Sequence, residues 1–355
     1  MIDKEMQSIF VIRNPNALEA SEHIEYHSNH KSKETNMKRT FLKTCAAIAL
    51  SAWTVTVSAQ PVLTKIVVPF NPGGGSDLFA SLLAPELSKA LGTTVIVENR
   101  AGAGGVIGAD YVAKSKPDGN TLLLSDASAY SINPSLYKNL PYQKDSFIPV
   151  VDVARFANLL VVPANSPYNT LQDIITAAKA NPGRLSIASS GNGSSTHLTA
   201  MHLQRAGHFE LIHIPYRGSG PAFADLMGEQ VDMMFSGLPA VTEYLKSKRL
   251  KAIVLTDKKR SSFAPEVPTA EEAGMKDFES YISQGLFAPA GTPAELVEKI
   301  NTAVNVALSS PEVTERLRLL NAEFKPNTAQ EYGAWLDAEA VNWANIIKES
   351  DVRVE

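Results

Sequence analysis

The sequence predicts an α/β protein of two similar lobes with a cleft between them. Three observations predict it. Short β-branched runs alternate with helical patterns from Lys65 onward. A strand, a glycine loop and a helix follow one another once in each half. The 355 residues also exceed what a single core usually supports.

Taken in order, residues 65–70 read as a strand, followed by a glycine loop and a helix over 77–91 in which Pro85 should produce a kink. Residues 95–98 form a second strand and 99–105 a glycine-rich turn. Pro117, Asp118 and Gly119 turn the chain into a strand at 121–125, with further strands at 148–153 and 159–162. The pattern then restarts. Thr170 caps a helix whose Leu171, Ile174, Ile175 and Ala178 share a face, and Asn181-Pro182-Gly183 ends it. Strands at 185–189, 211–215, 231–235 and 251–256 complete a second set, all in largely parallel sheets. After Asp257 the pattern is mainly helical, over 293–308, 311–320 and 328–347. Crossing segments are placed near 158–163 and 254–258, giving one lobe of 60–160 with 258–355 and another of 161–257.

The N-terminal part sets the compartment. Residues 1–36 lack periodicity and read as an extension upstream of a second start at Met37. Lys38, Arg39 and Lys43 precede an apolar stretch to Val57, and small residues lead to Ala59. Residues 37–59 therefore read as a signal peptide cleaved near Ala59, which places the mature chain in the periplasm. Polar residues from Thr54 to Gln60 weaken the competing membrane-anchor reading. Removing 59 residues leaves 26 basic and 31 acidic side chains, and removes Cys45, the single cysteine. That balance excludes an electrostatic footprint for nucleic acid, and no thiol remains for a disulfide, catalysis or zinc.

Candidate site residues fall on three polar loops. Phe70-Asn71-Pro72-Gly73-Gly74-Gly75-Ser76-Asp77 joins a strand to a helix. Glycines admit a ligand close to the backbone, and first-turn amides without internal partners bind an anion. Ser76 or Asp77 is expected to cap the helix. A structural turn with a polar cap explains the same residues. A phosphate loop needs a lysine after the glycines, and Leu78 stands where a dinucleotide fingerprint needs its third glycine. Ser190, Gly193, Ser194 and Ser195 repeat the arrangement in the second half, so that two helix starts would grip one carboxylate. Tyr216, Arg217 and Gly218 form the third loop, as a wall, an attracting charge and a turn. A nucleophilic Ser194 beside His197 lacks the elbow motif and a third orienting group, leaving a hydrolase as a minor alternative. His197, His202, His208 and His213 lack metal-ligand spacing and read as structural or surface residues. No metal and no cofactor is expected.

The ordered set of segments resembles the extracytoplasmic solute receptors of tripartite tricarboxylate transporters, the Bordetella uptake gene family. It runs from Val68 to Asp77, Val97 to Gly105 and Asn133 to Tyr137, through Ser190 to Leu198 and Pro215 to Gly218. Lys259-Arg260-Ser261, Val267-Pro268-Thr269 and Leu286 to Pro293 complete it. The resemblance implies a periplasmic-binding-protein-like type II fold with a hinge and an interdomain cleft. It also implies capture of a small carboxylate or amino acid by a monomer that serves membrane subunits of the transporter. Carried over, ligand contacts map to Phe70, Gly74, Gly75, Ser76, Asp77, Ser190, Gly193, Ser194 and Ser195. Tyr216 to Gly218 and the loop 125–130, represented by Ser128, would line the cleft. A periplasmic sensor feeding a signalling kinase would use the same cleft.

Overall fold

The computed structural model describes residues 63–350, apart from 277, 320, 321 and 323. The expected extension over 1–36 and the export signal over 37–59 lie outside the described residues. No described helix is long and apolar enough to cross a membrane.

Strands β1 (Leu63–Val68), β2 (Thr94–Asn99) and β3 (Thr121–Asp126) pair in parallel in the order β2-β1-β3. Helices α1 (Gly75–Leu91) and α2 (Val106–Ala113) connect them. A π-type turn (Ser128–Ile132) and the short α3 (Asn133–Leu136) then lead to β4 (Phe147–Pro163). This strand has 17 residues where the sequence predicts two strands. Its first part pairs with β9 (Tyr281–Pro289), which in turn pairs with β3. Its second part pairs with β7 (Met233–Gly237) and β8 (Leu250–Leu255). Strands β5 (Ser186–Ser189) and β6 (Ile212–Pro215) extend that second sheet from β7. Every pairing of β4 and β9 is antiparallel, so the sheets are mixed rather than largely parallel.

Helices α4 (Leu171–Ala180), α5 (Ser195–Gly207), α6 (Ser219–Met227) and α7 (Leu238–Lys246) flank the second sheet. Helices α8 (Ala294–Leu308), α9 (Pro311–Leu319) and α10 (Ala329–Ser350) end the chain. Successive side chains of a strand point to opposite faces, so each sheet divides its apolar residues between two layers. In the first lobe one layer holds Phe79, Leu83, Ile300 and Val304, and the other holds Tyr130, Phe287, Tyr332 and Leu336. In the second lobe, Ile174, Leu203 and Phe235 lie in one layer, and Phe223, Leu226 and Val241 in the other. Helix α1 continues through Pro85 to its left-handed C-cap at Gly92.

The two sheets exchange partners on β4 at Asn158, which is fully buried. Its amide is held by the Thr256 hydroxyl at 2.9 Å, and its carbonyl accepts from the Thr256 amide at 2.9 Å. Its side-chain amide donates to the Ser280 hydroxyl at 3.1 Å and the Thr199 hydroxyl at 3.3 Å. Thr256 follows β8 and Ser280 precedes β9, so the polar cluster ties the chain segments that link the lobes. The Asn158 backbone and side-chain nitrogen are thus paired, by Thr256 and Ser280 of the crossing segments and by Thr199 of α5, while its Oδ1 is buried without a partner among the described residues.

Two of the four histidines form a core pair. His197 in the first turn of α5 and His213 in β6 stack with ring centroids 4.0 Å apart. The imidazole of His197 accepts from the Gly193 amide at 3.2 Å, and His213 Nε2 lies 2.6 Å from the Ser189 hydroxyl. Burial pushes His197 down to about 3, with its neighbour His213 adding to the effect. Burial likewise pushes His213 down to about 4.

Two outcomes follow. Asn158→Ala removes the donor to the Thr199 and Ser280 hydroxyls, which keep their bond to each other at 2.6 Å, and should cost about 1 kcal/mol, read as a lower urea midpoint. For the histidines, both folded values lie below 6.5, so the unfolded chain binds more protons between there and about 3. Their contribution is complete above pH 6.5 and declines as pH falls. Urea unfolding between neutral pH and pH ~4.5 should show this decline, with a shallower slope in His213→Gln.

Candidate functional site

The loop after β1 opens α1 without a side-chain cap; its N-cap is Gly74. Asp77 does something else than the expected capping. Its carboxylate accepts from the Gly73 amide at 3.0 Å and from the Asn99 side chain at 3.0 Å. Asn99 also donates to the Phe70 carbonyl at 3.0 Å, so the loop is fastened from behind. The Ser76 hydroxyl donates to Gln284 Oε1 at 2.7 Å. The first-turn amides at Gly75, Ser76 and Asp77 have no acceptor one turn back in the helix and none elsewhere among the described residues. They form a cradle at the positive end of a 17-residue helix.

The second loop has the same outline and different bonding. Ser194 is the N-cap of α5; its hydroxyl accepts from the His197 amide at 3.3 Å and donates to the Gly191 carbonyl at 2.7 Å. Its contact with His197 is thus through the backbone amide, which is the bonding of a cap rather than of an activated nucleophile. The Ser190 amide donates to Thr196 Oγ1, and the Gly193 amide to His197. The Ser195 amide and hydroxyl donate to Asp126 Oδ2 at 3.2 and 2.7 Å. Asp126 ends β3 in the first sheet, so its carboxylate crosses the cleft to the start of α5.

Between the loops lies a cavity of about 30 Å³, room for roughly two water molecules. Its wall includes Phe70, Gly74, Gly75, Ser76, Asp77, Ser190 and Ser195 among the residues expected from sequence. Asp126 belongs to the loop 125–130 expected to line the cleft but was not singled out there, and Phe156, Thr196, Ser219, Ser236 and Gln284 complete much of the wall without having been chosen. Its charged residues are Asp77 and Asp126; the lining holds no lysine or arginine.

The remaining expected residues lie beside the cavity. Ser128 donates from its amide and hydroxyl to Asp126. Gly193 packs against Asn133, Leu136 and Tyr137. The Tyr216 hydroxyl donates to Asp225 at 2.6 Å, and the Arg217 side chain is exposed. The carbonyl of Arg217 accepts from the Asn71 amide at 2.8 Å, joining the two loops at the rim. Gly218 sits so close that a Cβ there would lie 2.9 Å from the Asn71 nitrogen. On the other rim, Tyr137 donates to the Asn192 carbonyl at 2.7 Å. Gly104, at φ 61°, lies under the same carbonyl, where a Cβ would come within 1.6 Å. The turn over 99–105, read from sequence as structural, therefore also supplies a rim contact.

Comparison with known proteins agrees with this architecture. The family described as "Tripartite tricarboxylate transporter family receptor" matches residues 79–352. Protein BugT of Bordetella pertussis is 35% identical over 312 residues, covering 87% of this chain and 95% of its own. The structure of the Rhodopseudomonas palustris protein Rpa4515 with adipate aligns with a TM-score of 0.78 at 32% identity, covering 82% of this chain and 98% of its own. MatC from the same organism, with bound malate, aligns with a TM-score of 0.77 at 31% identity, covering 80% and 98%. The two structural alignments span the two-lobed fold described above, and the chain is a binding protein rather than an enzyme. The chain belongs to the tripartite tricarboxylate transporter receptor family and is a solute-binding receptor.

Proposed function

We propose that this receptor captures a small carboxylate in the cleft and delivers it, in the periplasm, to the membrane subunits of a tripartite tricarboxylate transporter. The lobes that close on the ligand are residues 60–160 with 258–355, and residues 161–257. The observation that carries the reading is the set of first-turn amides at Gly75, Ser76 and Asp77. They face a cavity walled from both sheets and lack protein acceptors among the described residues. A carboxylate there accepts charge-assisted hydrogen bonds and meets the positive end of α1. The adipate and malate held by the two Rhodopseudomonas palustris proteins support the ligand class.

A cavity of about 30 Å³ is too small for a four-carbon acid, so capture requires the lobes to part and close again. The long strands β4 and β9 and the polar cluster at Asn158 supply a place for that rotation. The closing contacts at the rim are loop-to-loop hydrogen bonds and glycine approaches, which separate without disrupting either apolar core.

The test uses the mature protein and a library of small carboxylates. A ligand present in excess over its Kd raises the melting temperature by linkage. Gly75 has an ordinary backbone conformation, and its Cβ would meet the Gln284 side chain at 3.3 Å. Gly75→Leu should therefore fold, fill the cradle and weaken the best ligand by at least about tenfold. Unchanged affinity in a folded Gly75→Leu protein would refute the placement. Gly193 is a poorer probe, because φ is +80° and a Cβ would strike Asn133 and Tyr137 at 2.9 Å.

A further inference from the structure

The two helix starts that face the cleft are not equivalent, and Asp126 is the reason. Its side chain is buried, with 4% of the residue exposed. One oxygen accepts from the Ser128 amide at 3.3 Å, from the Ser128 hydroxyl and from the Ser125 hydroxyl at 3.4 Å. The other accepts the amide and hydroxyl of Ser195, the first residue of α5. The N-terminus of α5 thus already holds a carboxylate, supplied by the opposite lobe. Helix α1 presents a cradle of the same kind whose amides have no acceptor among the described residues.

From this asymmetry we infer that Asp126 is a specificity-determining residue that turns the cleft against dicarboxylates. It favours a small monocarboxylate whose other end carries a cationic or hydrogen-bond-donating group, a 2-amino acid first of all. This inference rests on the carboxylate-receptor reading above and narrows its ligand class. One carboxylate fits, on α1. A second would approach Asp126 across a cavity with room for about two waters, where no lysine or arginine offsets the repulsion. An ammonium at that end experiences the same buried charge as attraction. Asp77 carries the same sign, but it is partly exposed and solvent screens it, whereas Asp126 is buried. Ser219, Ser236 and Gln284 are neutral and place donors and acceptors in the wall without a net sign.

The experiment is isothermal titration of the mature protein with two probe sets, the dicarboxylates succinate, L-malate and adipate, and the zwitterions L-alanine, L-serine and L-glutamine. The wild type should bind its best zwitterion at least about tenfold more tightly than any dicarboxylate. Asp126→Ser removes the charge and frees the Ser195 amide, and should reverse that ratio. Asp126→Asn, which keeps the side-chain shape, should narrow it. Circular dichroism confirms that each variant is folded. If the wild type prefers a dicarboxylate, the role of Asp126 is refuted while the receptor reading stands. That role is refuted equally if folded Asp126→Ser and Asp126→Asn keep the wild-type ratio. Absence of binding by every probe to the wild type would refute both readings together.

Discussion

An α-helix cannot satisfy the amides of its own first turn, and the cleft of this receptor is organised around where those amides find acceptors. In α5 two of them are used within the protein, the Ser195 amide by Asp126 and the His197 amide by the Ser194 hydroxyl, and the Gly193 amide of the preceding loop goes to the His197 imidazole. In α1 the loop is instead held by bonds to its periphery, from Asp77 to Gly73 and from Asn99 to Phe70. That bracing leaves the turn rigid and its donors uncommitted. A rigid set of donors loses little conformational freedom when an anion arrives, which is the condition under which hydrogen bonds convert into affinity. The His197–His213 stack has a related task on the other side. A neutral imidazole accepts from the Gly193 amide and fixes the second loop, so a core histidine also shapes the cleft.

The long strand β4 imposes the second constraint. Both of its ends are deeply apolar, and both sheets are built on it, so the two apolar cores share one strand. At the point of exchange an all-apolar junction would be stable but featureless. Asn158 substitutes a directional set of bonds to Thr199, Thr256 and Ser280. Thr199 also donates back to the Ser195 carbonyl at 2.9 Å, so the hinge cluster and the start of α5 are mechanically joined. The bonds therefore run unbroken from Asn158 through Thr199 and Ser195 to Asp126.

How much of this was legible in the sequence depended on whether local chemistry or long-range pairing decided the outcome. The glycine loop ahead of α1 announces itself, because glycines, a serine and an aspartate between a β-branched run and a helical period suit a strand-to-helix turn and little else. Thr170 reads as a cap for the same reason, and its hydroxyl does accept from the Asp173 amide at 3.1 Å. The strand β9 was lost because Tyr281 to Pro289 is buried on both faces and so shows no alternation. With it went Gln284, whose partner Ser76 is 208 residues away. Asp126 sat one residue beyond the predicted strand and two before the residue chosen from that loop, Ser128. Nothing local distinguishes an aspartate that caps a helix 69 residues later from one at a solvated turn. The break expected between 153 and 159 contains Arg155, two residues beyond the predicted strand that holds Asp152. In the fold Arg155 and Asp152 pair with each other at 2.6 Å, and the Arg155 guanidinium lies over the Trp335 ring at 3.7 Å, so the strand continues.

The absence of a basic side chain from the cavity lining has an energetic meaning for a protein that must let go of what it binds. A micromolar complex needs about −8 kcal/mol. Hydrogen bonds from neutral donors to a charged acceptor contribute about 1.5–3 kcal/mol each, so three amides and one or two hydroxyls give about 6–15 kcal/mol, which reaches that figure when the bonds are strong and the cost of association is near its low end of about 4 kcal/mol. An arginine buried against the carboxylate would add attraction, but it would also have to be solvated again before release, and breaking such a pair typically costs about 3–5 kcal/mol. Amide donors avoid that barrier. On the reading proposed above, water replaces the ligand at Gly75, Ser76 and Asp77 when the lobes part, and no basic side chain has to be solvated again. On that reading the attraction for an anion comes from backbone geometry, and the side chains, Asp126 first among them, act on which anion is held.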